Sequence, residues 1–399
     1  MEARSIPAAL APTAEGSRAR TGAAAIPWPL AATVFAATSI IVGLIWDISW
    51  HISIGRDTSW TPAHMGIYLG GTLAGFANGF LVLKTTFRGT PAERAESVRF
   101  WGFRGPLGAF VSIWGAGAML TSAPFDDWWH NAYGLDVEIL SPPHTVLLLG
   151  ILFVIGGACI TALKAQNAAE AEGSGRAGTY RAIFAYAMGL LVTMGALAIW
   201  SDTRPYIGRS AHFYLYAAVP FPLMLAAAAR GLRMRWPATT VALIYMLVFA
   251  GMGWILQPWP ATPKLGPIRQ EITHMVTLSF PLLLAVPAFA MDLAARAVAK
   301  RGATLQALAM GLAFFAVLVG VHWWFNAFML SPLSHNPFFM GDHYPYEASP
   351  QSSWVRGEFL RLERTTADVV RGFGIAALVA VVSTRIGVAW GNWMRTVRR

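Results

Sequence analysis

Long apolar runs alternate with short polar segments along nearly the whole chain. Crossing a hydrocarbon layer as a helix takes about 20 residues. Runs that qualify begin near residues 29, 62, 106, 142, 180, 211, 237, 271, 305 and 367. The pattern predicts an all-α, polytopic integral membrane bundle of about ten transmembrane helices, with both termini on the same side.

Basic residues between the runs predict the direction of the helices. Of the 30 Lys and Arg residues, 21 lie on the side of the two termini. Cytoplasmic loops are the ones enriched in Lys and Arg, so we expect both termini in the cytoplasm of a bacterial-type inner membrane. Residues 1–28 are expected to be a disordered cytoplasmic tail. The run that follows is longer than a signal-peptide core and is interpreted as a retained first helix.

Composition agrees with lipid as the main solvent, since 55% of residues are hydrophobic and 13% are charged. The net charge of +10 comes from short basic runs rather than one basic face, which argues against nucleic acid as a partner. The single cysteine, Cys159, lies inside an apolar run. A disulfide framework and a thiolate-rich metal site are therefore excluded.

The histidines are predicted to lie on one side of the membrane only. In the predicted topology every histidine falls at the outward ends of helices or in outward loops. The nine are His51, His64, His130, His144, His212, His274, His322, His335 and His343. Histidine is the commonest metal ligand, so this distribution points to metal chemistry at the outer face.

Two predicted helical hairpins repeat one polar pattern. Each has an aspartate, a histidine four residues later, and a second histidine that follows a loop and a proline. The residues are Asp47, His51 and His64 in the first hairpin, and Asp126, His130 and His144 in the second. Residues i and i+4 share one helix face, and the loop returns the second histidine towards it. Each hairpin thus predicts a three-ligand site suited to Cu(II), Fe(II) or Zn(II).

The pattern leaves another interpretation open. Asp47 could instead pair with Arg56, while the histidines bond to backbone groups. In the metal interpretation, Arg56 and Asp57 are candidates for orienting the ligand histidines from outside the ligand set. The nearby tryptophans, Trp50, Trp60, Trp128 and Trp129, could either enclose the sites or form an interfacial aromatic belt.

The predicted organisation has two parts after the tail. Residues 29–165 form a four-helix membrane region that holds both hairpins, and residues 166–399 add six helices with a long outward loop over 330–366. Weaker echoes of the hairpin occur in this second part, and interface packing is the favoured role for them. They comprise Asp202, Tyr206 and His212, then Glu271 and His274. A further site could be formed by His322, His335, Asp342 and His343, for which a solvated loop or surface packing is favoured.

The first motif resembles the signature of the C subunit of the copper membrane monooxygenases, the particulate methane and ammonia monooxygenases. The matching residues are Asp47, Trp50, His51, Arg56, Asp57, Thr58, Thr61, Pro62 and His64. By this resemblance, copper falls on Asp47, His51 and His64. The second motif is similar to the family's second site, with Glu138 and Pro142 between the histidines, although Asp126 stands where the family has Asn. The resemblance covers residues 40–155.

The resemblance implies a copper-dependent oxygenase component that hydroxylates a small apolar substrate with O2. It also implies separate A- and B-type subunits, and an external reductant is expected because no flavin, haem or iron–sulfur motif is visible. Iron and zinc remain open as the metal. The alternatives are a membrane copper-handling or transport protein, against which the single cysteine argues, and a non-catalytic membrane scaffold.

Overall fold

A computed structural model describes residues 26–55, 60–134, 141–264, 271–341 and 348–398. The all-α prediction is confirmed, because helices account for nearly all regular structure in these ranges. The helices are α1 (Trp28–Ser53), α2 (Pro62–Arg88), α3 (Pro91–Ala95), α4 (Leu107–Tyr133), α5 (Pro142–Ala171), α6 (Ala177–Ala198), α7 (Ala211–Ala217), α8 (Pro220–Gly231), α9 (Pro237–Leu256), α10 (Ala285–Ala297), α11 (Ala303–Met329), α12 (Ser353–Arg356) and α13 (Thr366–Met394).

Nine helical spans in the described ranges are long and apolar enough to cross a membrane. Eight are single helices, and the ninth consists of α7 and α8 together, interrupted just before Pro220. Proline removes a backbone donor and clashes with the preceding turn, which explains the break. Large side chains such as Phe76 and Leu247 are exposed on these helices. Lipid contact accounts for such faces, since they would be costly in water.

The eighth of the ten predicted helices, beginning near residue 271, is wrong in its first half. Residues 271–284 form no helix, and only α10 continues the run. The segment begins where His274 pairs with Pro260, and it ends in α10, whose Asp292 accepts hydrogen bonds from the first turn of α9. It therefore runs between the two ends of the bundle, although half of it is not helical.

Side chains from three other helices hold this non-helical backbone. The N–H of Val276 donates to Ser53 on α1 at 2.7 Å, and that of Leu282 donates to the Tyr245 hydroxyl on α9 at 2.9 Å. The N–H of Leu283 donates to Nε2 of the fully buried His322 on α11 at 3.1 Å. Non-helical backbone at membrane depth is tolerated where protein satisfies it in this way.

Packing is continuous across the division drawn at residue 165, which lies inside α5. Tyr186 on α6 hydrogen-bonds Thr38 on α1, and the N–H of Lys264 donates to the carbonyl of Ile54. The connection between α2 and α4 also contains a small antiparallel ribbon of β1 (Val98–Phe100) and β2 (Phe103–Gly105) that was not predicted. In the described parts of the long connection between α11 and α13, residues 330–341 and 348–365, the regular structure consists of short helical turns.

Candidate metal centre

The first cluster comprises Asp47, His51 and His64, and the structure brings all three together. Asp47 and His51 lie in the last two turns of α1, and His64 lies in the first turn of α2. Oδ1 of Asp47 is 3.5 Å from Nε2 of His51 and 3.1 Å from Nε2 of His64. The Asp47 side chain is only 15% exposed. The carboxylate is thus turned inwards between two imidazoles.

Close packing between α1 and α2 sets this geometry. A Cβ on Gly43 would lie 2.9 Å from the carbonyl oxygen of Ala63, and one on Gly70 would lie 2.6 Å from that of Ala36. Only glycine allows backbones to approach so closely. At the start of α2, the Thr61 side chain accepts a hydrogen bond from the N–H of His64. This N-cap fixes where the helix begins, and so fixes the level of His64 against α1.

The second cluster comprises Asp126, His130 and His144. Asp126 and His130 lie near the end of α4, and His144 lies in the first turn of α5. Oδ1 of Asp126 is 3.2 Å from Nε2 of His130 and 3.4 Å from Nε2 of His144. The Ser141 side chain caps α5 by accepting from the N–H of His144. Glycines again set the approach, since a Cβ on Gly150 would lie 2.8 Å from the Gly115 carbonyl oxygen.

Gly134, the residue that follows α4, contacts the ring nitrogen of His130 that faces away from Asp126. Nδ1 of His130 lies 3.1 Å from the carbonyl oxygen of Gly134, while its Nε2 faces Asp126. Gly134 has a φ of +93° and donates its own N–H to the carbonyl of His130. A histidine that ligates a metal is commonly oriented through its other ring nitrogen in this manner.

The two clusters have nearly the same shape. In each, one carboxylate oxygen and two imidazole nitrogens lie within 4.8 Å of one another. The histidine ring centroids are 6.2 Å apart in the first cluster and 6.5 Å apart in the second, with interplanar angles of 55° and 61°. Within the described residues, these are the groups of three or more His, Cys, Asp or Glu side chains placed to hold a metal ion.

Tyr68 lies beside the first cluster and was missed by the sequence reasoning. Its ring stacks on His64, with centroids 6.0 Å apart and planes 24° from parallel. Its phenol interacts electrostatically with the carboxylates of both Asp47 and Asp126. The spacing of four residues from His64 places Tyr68 on the same face of α2, but its proximity to the second cluster depends on how α2 packs against α4.

Other predicted residues near the clusters have mixed outcomes. Arg56, Asp57 and Glu138 lie outside the described residues. Asp127, the neighbour of Asp126, accepts a hydrogen bond from the Asn131 amide one turn later on α4 and is not among the second cluster's residues.

The four neighbouring tryptophans divide into two pairs. Trp60 and Trp128 are 77% and 55% exposed, as an aromatic belt requires. Trp50 and Trp129 are half-buried, and each indole nitrogen is buried with no hydrogen-bond partner. The half-buried pair directly precedes His51 and His130 along the chain.

The third hairpin has a pair rather than a three-residue cluster. Nε2 of His212 lies 2.8 Å from Oδ1 of Asp202, but Tyr206 packs its ring against Trp354 instead.

The remaining predicted echoes form no cluster in the described ranges. Nδ1 of His274 bonds to the Thr273 hydroxyl, His335 is exposed, and His322 supports the non-helical backbone. Asp342 and His343 lie outside the described residues.

Known proteins offer no direct guide to this arrangement. Comparison of the chain with protein-family models, with curated proteins and with solved structures found no match.

Proposed function

We propose that this chain binds copper at the two clusters and acts as the membrane component of an O2-dependent oxygenase that hydroxylates a small apolar substrate. The observation that carries the proposal is the convergence of a carboxylate and two imidazoles in two separate hairpins. The resemblance to the C subunit of the copper membrane monooxygenases supports the choice of metal and reaction. It also supports A- and B-type partner subunits, and a location in a bacterial-type inner membrane with the clusters on the periplasmic side.

The cluster dimensions support metal binding. A tetrahedral ion about 2.1 Å from each ligand atom holds those atoms about 3.4 Å apart. The four Asp–His separations lie between 3.1 and 3.5 Å. A partly buried carboxylate near lipid is costly, by up to about 3 kcal/mol at mid-membrane and less at the interface. A bound cation would offset this cost at both Asp47 and Asp126.

The ligand type favours copper among the candidates without excluding iron or zinc. Nitrogen and oxygen ligands bind divalent copper more tightly than the neighbouring first-row metals. Three protein ligands also leave positions open on the ion. Bound copper would supply O2 binding and electron transfer at these positions. The chain itself would orient the ion through His130 and its Gly134 contact, and would keep an aromatic ring, Tyr68, packed against His64.

Electrons must come from outside the chain in this proposal. In the described residues, the redox groups would be the two copper ions, one at each cluster. Hydroxylation with O2 also consumes two electrons, which a reductant must supply. The half-buried indoles of Trp50 and Trp129 lie beside the ligands in sequence and are suited to limiting the access of water. The substrate would enter from the bilayer, where small apolar molecules concentrate.

Metal analysis of the purified protein tests the proposal. We expect about two equivalents of copper after reconstitution, lost in the double variant His51→Ala/His130→Ala and retained in a matched control, His274→Ala/His335→Ala. Equal copper in all three proteins would refute binding at the clusters, and absence of copper from all three would leave a non-catalytic scaffold. Where copper is bound, O2 consumption coupled to product formation in membranes separates an oxygenase from a copper-handling protein.

A further inference from the structure

An apolar cavity of about 690 Å³ lies between α5, α6 and the broken pair α7 and α8. Its walls include Leu148 and Leu152 from α5, Leu191 and Met194 from α6, and Leu223 from α8. It extends along α6 from Leu191 to Ile199, roughly 12 Å at the rise of an α-helix. The volume falls in the range of cavities that hold small organic ligands.

The lining is hydrocarbon apart from one phenol. Tyr216 is the only lining residue with an oxygen or nitrogen in its side chain. Two further lining residues, Ala198 and Val219, are exposed at the surface of the bundle. Because this opening lies on helices that meet the criteria for membrane spans, the cavity faces the bilayer rather than water.

A polar pair lies at one end of the cavity. The ring of Tyr216 packs on His212, with centroids 4.4 Å apart, and Nε2 of His212 lies 2.8 Å from Oδ1 of Asp202. Both members of the pair remain about 30% exposed. Asp202 follows the lining residue Ile199 by three positions in a 3-10 turn. The cavity therefore joins a long apolar space to a site that can donate and accept hydrogen bonds.

The charges at this end of the cavity balance. Two carboxylates, Asp202 and Glu363, and two guanidinium groups, Arg204 and Arg209, lie near the start of α7. An ionic head group therefore gains no net attraction there. An uncharged hydroxyl can donate to the Asp202 carboxylate and can accept from the Tyr216 hydroxyl, so it matches the polar groups at this end.

We propose that this cavity binds the hydrocarbon chain of a bilayer amphiphile that carries an uncharged hydroxyl head, with the head at Tyr216, His212 and Asp202. The site stands on residues outside both metal clusters. It does not depend on copper, although Leu148 lies one helical turn from the cluster residue His144.

Photolabelling of the whole protein in lipid nanodiscs tests this proposal. The probe is hexadecanol with a diazirine on its chain, and labelled peptides are mapped by mass spectrometry. We expect labelling over residues 191–199 and 215–224, and competition by excess hexadecanol but not by palmitate. Labelling spread evenly over the lipid-facing helices would overturn the site, and equal competition by palmitate would overturn the head-group assignment.

Two matched variants make the test specific. Val219 at the cavity opening and Val382 on α13 are 51% and 50% exposed. Val219→Trp should lower the labelling of the cavity segments about tenfold, whereas Val382→Trp should not change it. Asp202→Asn should weaken competition by hexadecanol but not by hexadecane. Unchanged labelling in Val219→Trp would contradict the proposal, and normal labelling in His51→Ala/His130→Ala would show that it stands apart from metal binding.

Discussion

Nδ1 of His130 faces the carbonyl oxygen of Gly134, and this contact depends on a backbone conformation that glycine adopts readily. It is the clearest example of a residue outside a cluster that orients a cluster side chain. The first hairpin repeats this backbone conformation, because Gly55 follows His51 by four residues, as Gly134 follows His130, and has a φ of +90°.

Gly134→Ala should weaken metal binding at the second cluster only. A Cβ at Gly134 meets no atom, but the φ of +93° is strained for alanine. Removing a partner that orients a ligand typically costs about 10- to 100-fold in metal affinity. Copper titration followed by spectroscopy should show one weakened and one unchanged equivalent. Gly117→Ala, on the same helix and also facing open space, is the control; an equal loss in both variants would point to general disruption of α4.

Asp47→Asn and Asp126→Asn should not be equivalent. Asn occupies the Asp126 position in the resembling family's second site, so Asp126→Asn should keep a weaker second equivalent of copper. Asp47 lies 3.1 and 3.5 Å from two imidazoles with its side chain 15% exposed. The loss of its charge should abolish binding at the first cluster. Copper content measured after dialysis distinguishes the two. Complete loss of the second equivalent in Asp126→Asn would count against the resemblance at that site.

Tyr68→Leu should weaken the first cluster, whereas Tyr68→Phe should not. Phenylalanine preserves the ring that stacks on His64, and leucine removes it. Because stacked aromatic pairs contribute about 0.5–1.5 kcal/mol beyond their buried area, we expect roughly a three- to tenfold lower copper affinity in the leucine variant. Titration of both variants in parallel makes the comparison. Similar losses in both would assign the effect to the hydroxyl group instead.

Ser53→Ala should destabilise the bundle by about 1–3 kcal/mol, because it leaves the N–H of Val276 buried without an acceptor. Ser49→Ala is a matched control one turn earlier on α1. The Ser49 hydroxyl is equally buried but has no hydrogen-bond partner, so its removal should be nearly neutral. Thermal unfolding in detergent measures both. A larger shift in Ser49→Ala would show that packing, rather than the bond to Val276, dominates.

Glu363 attaches the connection between α11 and α13 to the start of α7, and this attachment should be lost at low pH. Burial raises the pKa of the Glu363 carboxyl, but hydrogen bonds from Ser210 and from the N–H groups of Ala211 and His212 outweigh it, and the pKa lies below its usual value. A carboxylate whose pKa is lowered by folding stabilises the folded state at pH values above its unfolded-state pKa. This stabilisation is lost as the pH falls through the folded-state pKa. The attachment should therefore weaken below about pH 4.

Spin labelling can follow this attachment. A nitroxide at Arg361→Cys, in a Cys159→Ser background, should become more mobile on acidification. With Glu363→Gln added, it should be mobile at every pH. Mobility that falls with acidification, or that changes equally in the Gln variant, would contradict the assignment to Glu363.

The sequence was most informative where local spacing determines geometry. Asp47 and His51, four residues apart, needed only the helical repeat to share a face, and the proline before His64 marked the start of the next helix. Tyr68 needed more, because its proximity to Asp126 depends on the register between α2 and α4. Hydropathy predicted a membrane-spanning helix from residue 271, but it could not show that side chains as distant as Ser53 and His322 would replace helical hydrogen bonds in its first half.

That replacement imposes an order on biogenesis. A helix satisfies its own backbone as it leaves the translocation machinery, but residues 271–284 do not. The partner of Leu283 is His322, which follows it by 39 residues. The segment therefore completes its burial only after α11 has been synthesised, and a chain that stops before α11 keeps an open amide in an apolar setting.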